Sequence, residues 1–338
     1  MIFPPCGESM NPKMWLAALQ VIPKIDRREW DRLDILSRWL IATRAAVLIL
    51  TFLSAAIAGL LAARDGLFHW GYWLLLMFGL ILAHATNNLL NDLVDYLRGV
   101  DEDNYFRTQY GAQTVQMGLL SKRQLLAYAA VTGAAAAACG LALAAARGWP
   151  ILALMAAGAF FVIFYTWPLK YIGLGEIAVI LVWGPLMVWG GYYAVTGVWS
   201  PAAFWGSFPC AVGAATVIFG KHIDKLAADK AKRIRTLPVI IGERAARIAV
   251  LVLAALQYLL PVLLVAAGYF SPVMLVVLGG LFFARPVWAM YRRPRPAEPP
   301  PEARSFWPMW FVAAAFYHNR AYGLVFLLGL VLQIVIKL

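Results

Sequence analysis

Asn87, Asn88, Asn91, Asp92, Asp95 and Asp101 crowd the end of one long apolar stretch, and a second acidic pair, Asp224 and Asp229, stands in a later polar gap. Carboxylates and amides are expensive in hydrocarbon, so a cluster of them beside apolar sequence marks a working site. At ~3.6 residues per helical turn, Asn88, Asp92 and Asp95 share one face and Asn91 with Asp95 an overlapping one. Such faces present hard oxygen donors, the ligands that suit Mg²⁺ held between a protein and a phosphate.

The elements that must position these residues are membrane helices. Of the 338 residues, 62% are hydrophobic and only 14% charged, against about 25% charged in a soluble domain. Mean hydropathy is +0.72. The formal charge of +12 does not point to nucleic acid, because the basic residues fall in gaps between apolar runs and form no aromatic-interleaved patch. Cys6, Cys139 and Cys210 have no metal-ligand spacing and read as small packing residues. The N-terminal stretch is polar and rich in Trp and Arg, without a signal-peptide core, so no cleaved leader is expected.

Segments long enough to cross a bilayer, about 20 residues each, run at roughly 40–63, 70–94, 122–146, 149–168, 173–196, 202–220, 246–268, 272–291 and 321–337. The fold class expected is therefore all-α and polytopic, with about nine transmembrane helices. Residues 1–39 form an N-terminal segment and residues 40–338 the membrane domain. Lys and Arg crowd alternate gaps, as the positive-inside rule requires when the N-terminus is cytoplasmic. Both acidic clusters then fall on the cytoplasmic side, where together they would suit a lipid diphosphate. Trp15 to Trp39 reads as an amphipathic surface helix, Arg292 to Pro301 as an extended linker, and Phe306 to Tyr317 as a short interfacial helix.

The run Asn91-Asp92-Leu93-Val94-Asp95-Tyr96-Leu97-Arg98-Gly99-Val100-Asp101 resembles the UbiA superfamily of intramembrane prenyltransferases, most closely its 1,4-dihydroxy-2-naphthoate branch. So do Ala112 to Leu125, Tyr165 to Glu176, Trp183 to Tyr193, and Asp229 followed by Thr236 to Gly242. The resemblance implies a ring of helices around a central cavity, with a cytoplasmic polar cap binding Mg²⁺ and the diphosphate. It implies transfer of a polyprenyl group from its diphosphate to a small aromatic acceptor, in the inner (cytoplasmic) membrane. On that reading Asn91, Asp92, Asp95, Asp101, Asp224 and Asp229 are the metal ligands, with Asp92, Asp95 and Asp229 catalytic. Arg107, Lys170, Lys221 and Arg235 are candidates for the diphosphate oxygens, and Asn88, Tyr165 and His222 for substrate.

The second acidic motif departs from the family pattern. Lys225 stands where an Asp is expected, Lys221 and His222 replace the usual Asn residues, and Arg233 replaces a Gly. Arg44, near the start of the first span, either reaches the cavity or snorkels to the interface. His69, His84 and His318 read as structural or interfacial. The other acceptors to weigh are a different phenol, a sugar phosphate or a tetrapyrrole. The rival class is a cation-coupled transporter, which would place its acidic groups at broken helices near the midplane rather than at helix ends on one side.

Overall fold

Arg44 interrupts the first apolar run. In the computed structural model, which describes residues 10–100 and 111–336, the helix α3 (Ile35–Ala42) stops just before it. Arg44 itself takes a left-handed conformation, φ 56° and ψ 54°, and the chain restarts as α4, Ala45–Arg64. Left-handed backbone at a residue with a long side chain is strained. It is held here because the guanidinium is drawn to the acidic end of the next helix.

That helix, α5 (Trp70–Leu97), runs 28 residues and carries the whole first cluster up to Asp95. A capping box of Ser121 and Gln124 starts α6 (Lys122–Arg147). Gly148, at φ +81°, then turns the chain into α7 (Trp149–Phe164), a 16-residue helix. Next come α8 (Gly175–Thr196), which widens to a π-helical stretch around Pro185, and α9 (Pro201–Asp224). Two short helices, α10 (Leu226–Ala231) and α11 (Leu237–Ile241), fill the following gap. The chain continues through α12 (Glu243–Ala266), α13 (Pro272–Tyr291) and α14 (Trp310–Val335). Among the described residues eight helices are long and apolar enough to cross a bilayer, and α7 is a shorter apolar one. This is a multi-pass membrane protein.

Burial is uneven among these helices. In α4, 72% of the most apolar window is buried inside the protein, whereas in α6 the figure is 17%. The interior position of α4 is secured by polar contacts: Thr51 Oγ1 lies 2.7 Å from His84 Nδ1, and Ser54 Oγ donates to the Trp183 carbonyl at 3.0 Å. At its far end Asp65 receives Tyr192 OH at 2.8 Å and pairs with Arg64, which also donates to the Tyr269 carbonyl.

Two boundary expectations are corrected. The last span and the expected interfacial helix before it are one continuous helix, α14. Two of the polar residues that break its hydropathy are buried against neighbours: His318 Nε2 lies 2.7 Å from Tyr258 OH, and Asn319 Nδ2 donates to Thr216 Oγ1 at 3.0 Å. The N-terminal segment, expected as one surface helix, is three short ones: α1 (Pro12–Gln20), α2 (Arg27–Asp31) and α3. They are folded back on one another with Trp30, Arg38 and Ile41 buried.

Asp34 ties that segment together. Its carboxylate accepts from Asn11 N–H (3.1 Å), Trp15 Nε1 (3.0 Å), Ser37 N–H (2.9 Å) and Ser37 Oγ (2.6 Å). Burial alone would raise its pKa; the four donors together outweigh burial and hold it below the ordinary 3.8. A depressed carboxylate stabilises the fold above its unfolded value, and that stabilisation is lost as pH falls through the folded value. Pepsin cleavage between α1 and α2, relative to that of Asp34→Asn, is therefore expected to rise as the pH falls below about 4. Asp34→Asn should be cleaved readily throughout; an identical acid response in wild type and Asp34→Asn would show that another group controls it.

Candidate active site

The acidic end of α5 is buried and matched charge for charge. Arg44 donates through one nitrogen to the Asn88 carbonyl (3.0 Å), Asn91 Oδ1 (3.1 Å) and Asp92 Oδ1 (2.7 Å). Lys170 Nζ lies 2.7 Å from Asp95 Oδ1. Both pairs are nearly excluded from solvent, with side-chain exposures of 8% and 4% for the first and 10% and 6% for the second. An isolated charge there would be driven to neutralise. The amides lock the frame: Asn88 Nδ2 donates to the Thr43 carbonyl (2.8 Å), Asn87 Nδ2 to the Val162 carbonyl (3.0 Å) and Asn91 Nδ2 to Thr166 Oγ1 (2.9 Å). One turn of α5 thus fixes both the Arg44 break and the start of the loop after α7.

That loop brings Lys170 inward and leads into Gly175, the first residue of α8, over which three groups converge. A Cβ built on Gly175 would sit 3.6 Å from the Lys170 backbone, 3.8 Å from His222 Cε1 and 3.9 Å from Tyr165 Cε2. His222 Nδ1 is 2.7 Å from Glu176 Oε1, and both residues are buried. Lys232 Nζ, in the gap after α9, donates to the Gly99 and Val100 carbonyls at 2.7 and 2.9 Å. The two acidic gaps therefore meet at one end of the molecule. Asp229 is buried, with Lys225 Nζ 3.4 Å from its Oδ1.

Below Asn87 and Tyr165 an apolar cavity of about 290 Å³ descends between α5, α6, α7 and α8. His84, Trp183 and Leu186 line its upper part, with Leu76, Leu143 and Ile151 further along. Polar groups gather at one end and hydrocarbon fills the rest, the form that a polar head on an apolar tail requires.

The description of the "UbiA prenyltransferase family" matches residues 52–313. The chain belongs to that family. It is 28% identical to the 1,4-dihydroxy-2-naphthoate octaprenyltransferase of Escherichia coli K12, over 62% of this chain and 70% of that one. Against the digeranylgeranylglyceryl phosphate synthase of Natronomonas pharaonis it is 27% identical, over 58% of this chain and 64% of the relative. A UbiA homolog from Archaeoglobus fulgidus, bound to GPP and Mg²⁺, superposes with a TM-score of 0.57 at 18% identity, covering 86% of this chain and 99% of that one. The fold is thus that of the family, and the protein is a prenyltransferase.

Of the residues singled out from sequence, Asn88, Asn91, Asp92, Asp95 and Lys170 are drawn together, and Tyr165 reaches both this cluster and the cavity. Asp101 and Arg107 lie outside the described residues. Lys221 is half-buried in the last turn of α9, and Arg235 is exposed. Asp224 is turned to another use. Its two oxygens accept the Phe311 and Val312 N–H groups at 3.1 and 3.0 Å, capping the start of α14. Both oxygens of the expected ligand are thus engaged in that cap. The site residues that sequence reasoning does not select are Glu176 and Thr166. Glu176, an acid inside an apolar run, was the one signal available.

Asp224→Ala is expected to lower stability by about 1–2 kcal/mol, the usual worth of a helix cap, read as a fall in melting temperature. An unchanged melting temperature together with weakened Mg²⁺ binding would return Asp224 to the metal set.

Proposed function

We propose that this protein transfers a polyprenyl group from its diphosphate to the ring of a small aromatic acceptor, with Mg²⁺ as cofactor. The observation that carries the reading is the placement of Asp92 and Asp95, each beside a buried cation, at the polar mouth of an apolar cavity. The donor set fits the metal: Asn91, Asp92 and Asp95, with Asp229 from the facing gap and Asp101 by sequence, are hard oxygen ligands of the kind Mg²⁺ takes. When bound, Mg²⁺ supplies positive charge to the leaving diphosphate.

The protein's own residues do the rest. Arg44 and Lys170 put two fixed positive charges where the diphosphate oxygens would lie, and cations already in place cost no reorganisation as the C–O bond breaks. Lys221 and Arg235 are secondary candidates for the same oxygens. The allylic carbocation left behind lies in a dry cavity beside Tyr165 and Trp183, whose ring faces favour positive charge and whose packing excludes water. The acceptor's electron-rich ring carbon then bonds to it, and the ring regains its aromaticity by losing the proton of that carbon, or CO2 where the carbon bears a carboxylate. Asn88, Tyr165 and His222 are assigned to substrate positioning.

The acceptor best supported is 1,4-dihydroxy-2-naphthoate, on a menaquinone route, from the branch resemblance and the E. coli relative. The Natronomonas relative favours a second reading, a phosphorylated glycerol ether. The inner membrane, with a cytoplasmic N-terminus, is the location that the alternation of basic gaps supports.

With radiolabelled prenyl diphosphate and a panel of acceptors, transfer is expected with Mg²⁺ and none in EDTA; full transfer in EDTA refutes the proposal. A double-mutant series separates chemistry from folding. Asp95→Asn leaves Lys170 buried without its counter-charge and should cost on the order of 3 kcal/mol of stability. Adding Lys170→Met removes that charge and should recover much of the loss. Turnover should stay at least about a hundredfold below wild type in both. A stable double variant with ordinary turnover would make the pair purely structural.

A further inference from the structure

Six glycines line the cavity: Gly79, Gly133, Gly140, Gly158, Gly190 and Gly191. Five of them are explained by packing. A Cβ would stand 3.1 Å from Cys139 Cβ at Gly79, 3.3 Å from Thr86 at Gly133, 2.7 Å from Met155 Sδ at Gly140, 2.8 Å from Leu154 at Gly190 and 3.0 Å from Leu76 at Gly191. Gly158 is different: a Cβ there would meet nothing within 4 Å. Nor does its backbone take the positive φ that only glycine tolerates easily. It sits in the middle of α7, where glycine is about 1 kcal/mol worse than alanine. Neither close approach nor conformation accounts for glycine here, and what remains is the space its missing side chain leaves in the cavity wall.

The depth of that space matters. Gly158 lies seven residues before Tyr165, so at ~1.5 Å per residue it is about 10 Å down α7 from the polar mouth. An extended carbon chain advances roughly 1.2 Å per bond, so the eight main-chain carbons of two isoprene units span about that depth. A chain of that length, its diphosphate at Asp92 and Asp95, would end near Gly158; a longer one must pass it.

We propose that Gly158 is a specificity-determining residue for the donor, keeping the cavity open beyond the first two isoprene units so that long prenyl chains are accepted. This rests on the prenyl-transfer reading above. A side chain at position 158 would fill the passage without touching the carboxylates, the cations or the mouth.

The test is a graded series, Gly158→Ala, Gly158→Leu and Gly158→Phe, with Mg²⁺-dependent binding and turnover of geranyl diphosphate and of an octaprenyl diphosphate. Geranyl diphosphate should keep its affinity within about threefold in every variant, while the octaprenyl donor loses at least about tenfold in Gly158→Phe and an intermediate amount in Gly158→Leu. Gly158→Ala should melt at or above the wild-type temperature. If Gly158→Phe does not fold, the Gly158→Leu ratio decides. Equal losses for the two donors, or none for either, overturn the proposal and leave prenyl transfer standing. A wild-type protein that binds neither diphosphate overturns both.

Discussion

Carboxylates inside a low-dielectric interior must be neutralised, and the architecture around the site follows from how that is done here. Asp92 and Asp95 sit one turn apart on α5, each 2.7 Å from a cation brought from a different part of the chain. To deliver Arg44, the first apolar run breaks into a left-handed residue. To deliver Lys170, the chain after α7 turns back over the end of α5, pinned by Thr166 against Asn91. Buried ion pairs are poor sources of net stability, since desolvation offsets most of the attraction. Their effect here is to fix where two loops must lie, and those loops carry or flank Tyr165, Glu176 and the mouth of the cavity.

The acidic cluster on α5 was legible because polar groups stand out against hydrocarbon. The helix count was nearly so, because length and apolarity alone decide it. The partners were not legible. Nothing at Asp92 announces Arg44, 48 residues away, and position 44 admitted two readings until the fold chose one. The contacts of Asp224 are hidden for a similar reason: an acid near a second acid reads as a ligand pair, and the N–H groups that it caps are 87 and 88 residues further on. Glu176 was visible as the end of a resembling stretch, yet its bond to His222 spans 46 residues.

Hydropathy also misplaced the last helix. His318, Asn319 and Arg320 look like an interface, so the apolar run was divided there. In the fold, Asn319 bridges to α9 through Gly213 and Thr216 and lies 3.2 Å from Gln257 of α12, while Tyr322 donates to the Gln257 carbonyl. Polar residues in the middle of a span are tolerated when neighbouring helices satisfy them. A scale that scores each residue alone has no access to that condition. The same blindness applies at the N-terminus, where Asp34 joins α1 to α3 and a mixture of Trp, Leu and Ile with Arg and Asp reads as one amphipathic helix.

The interior placement of α4 has a consequence for how the protein is made. Among the described spans, α4 is synthesised before every helix that will cover it. Thr51 awaits His84, Ser54 awaits Trp183, and Leu53 awaits Gly323 on α14. Until then its hydroxyls can bond only within their own helix, as Ser54 still does to the Leu50 carbonyl at 3.5 Å. Among the described spans, α4 is thus translated first and enclosed only once α14 is in place, and chains truncated before α14 would leave it partly uncovered.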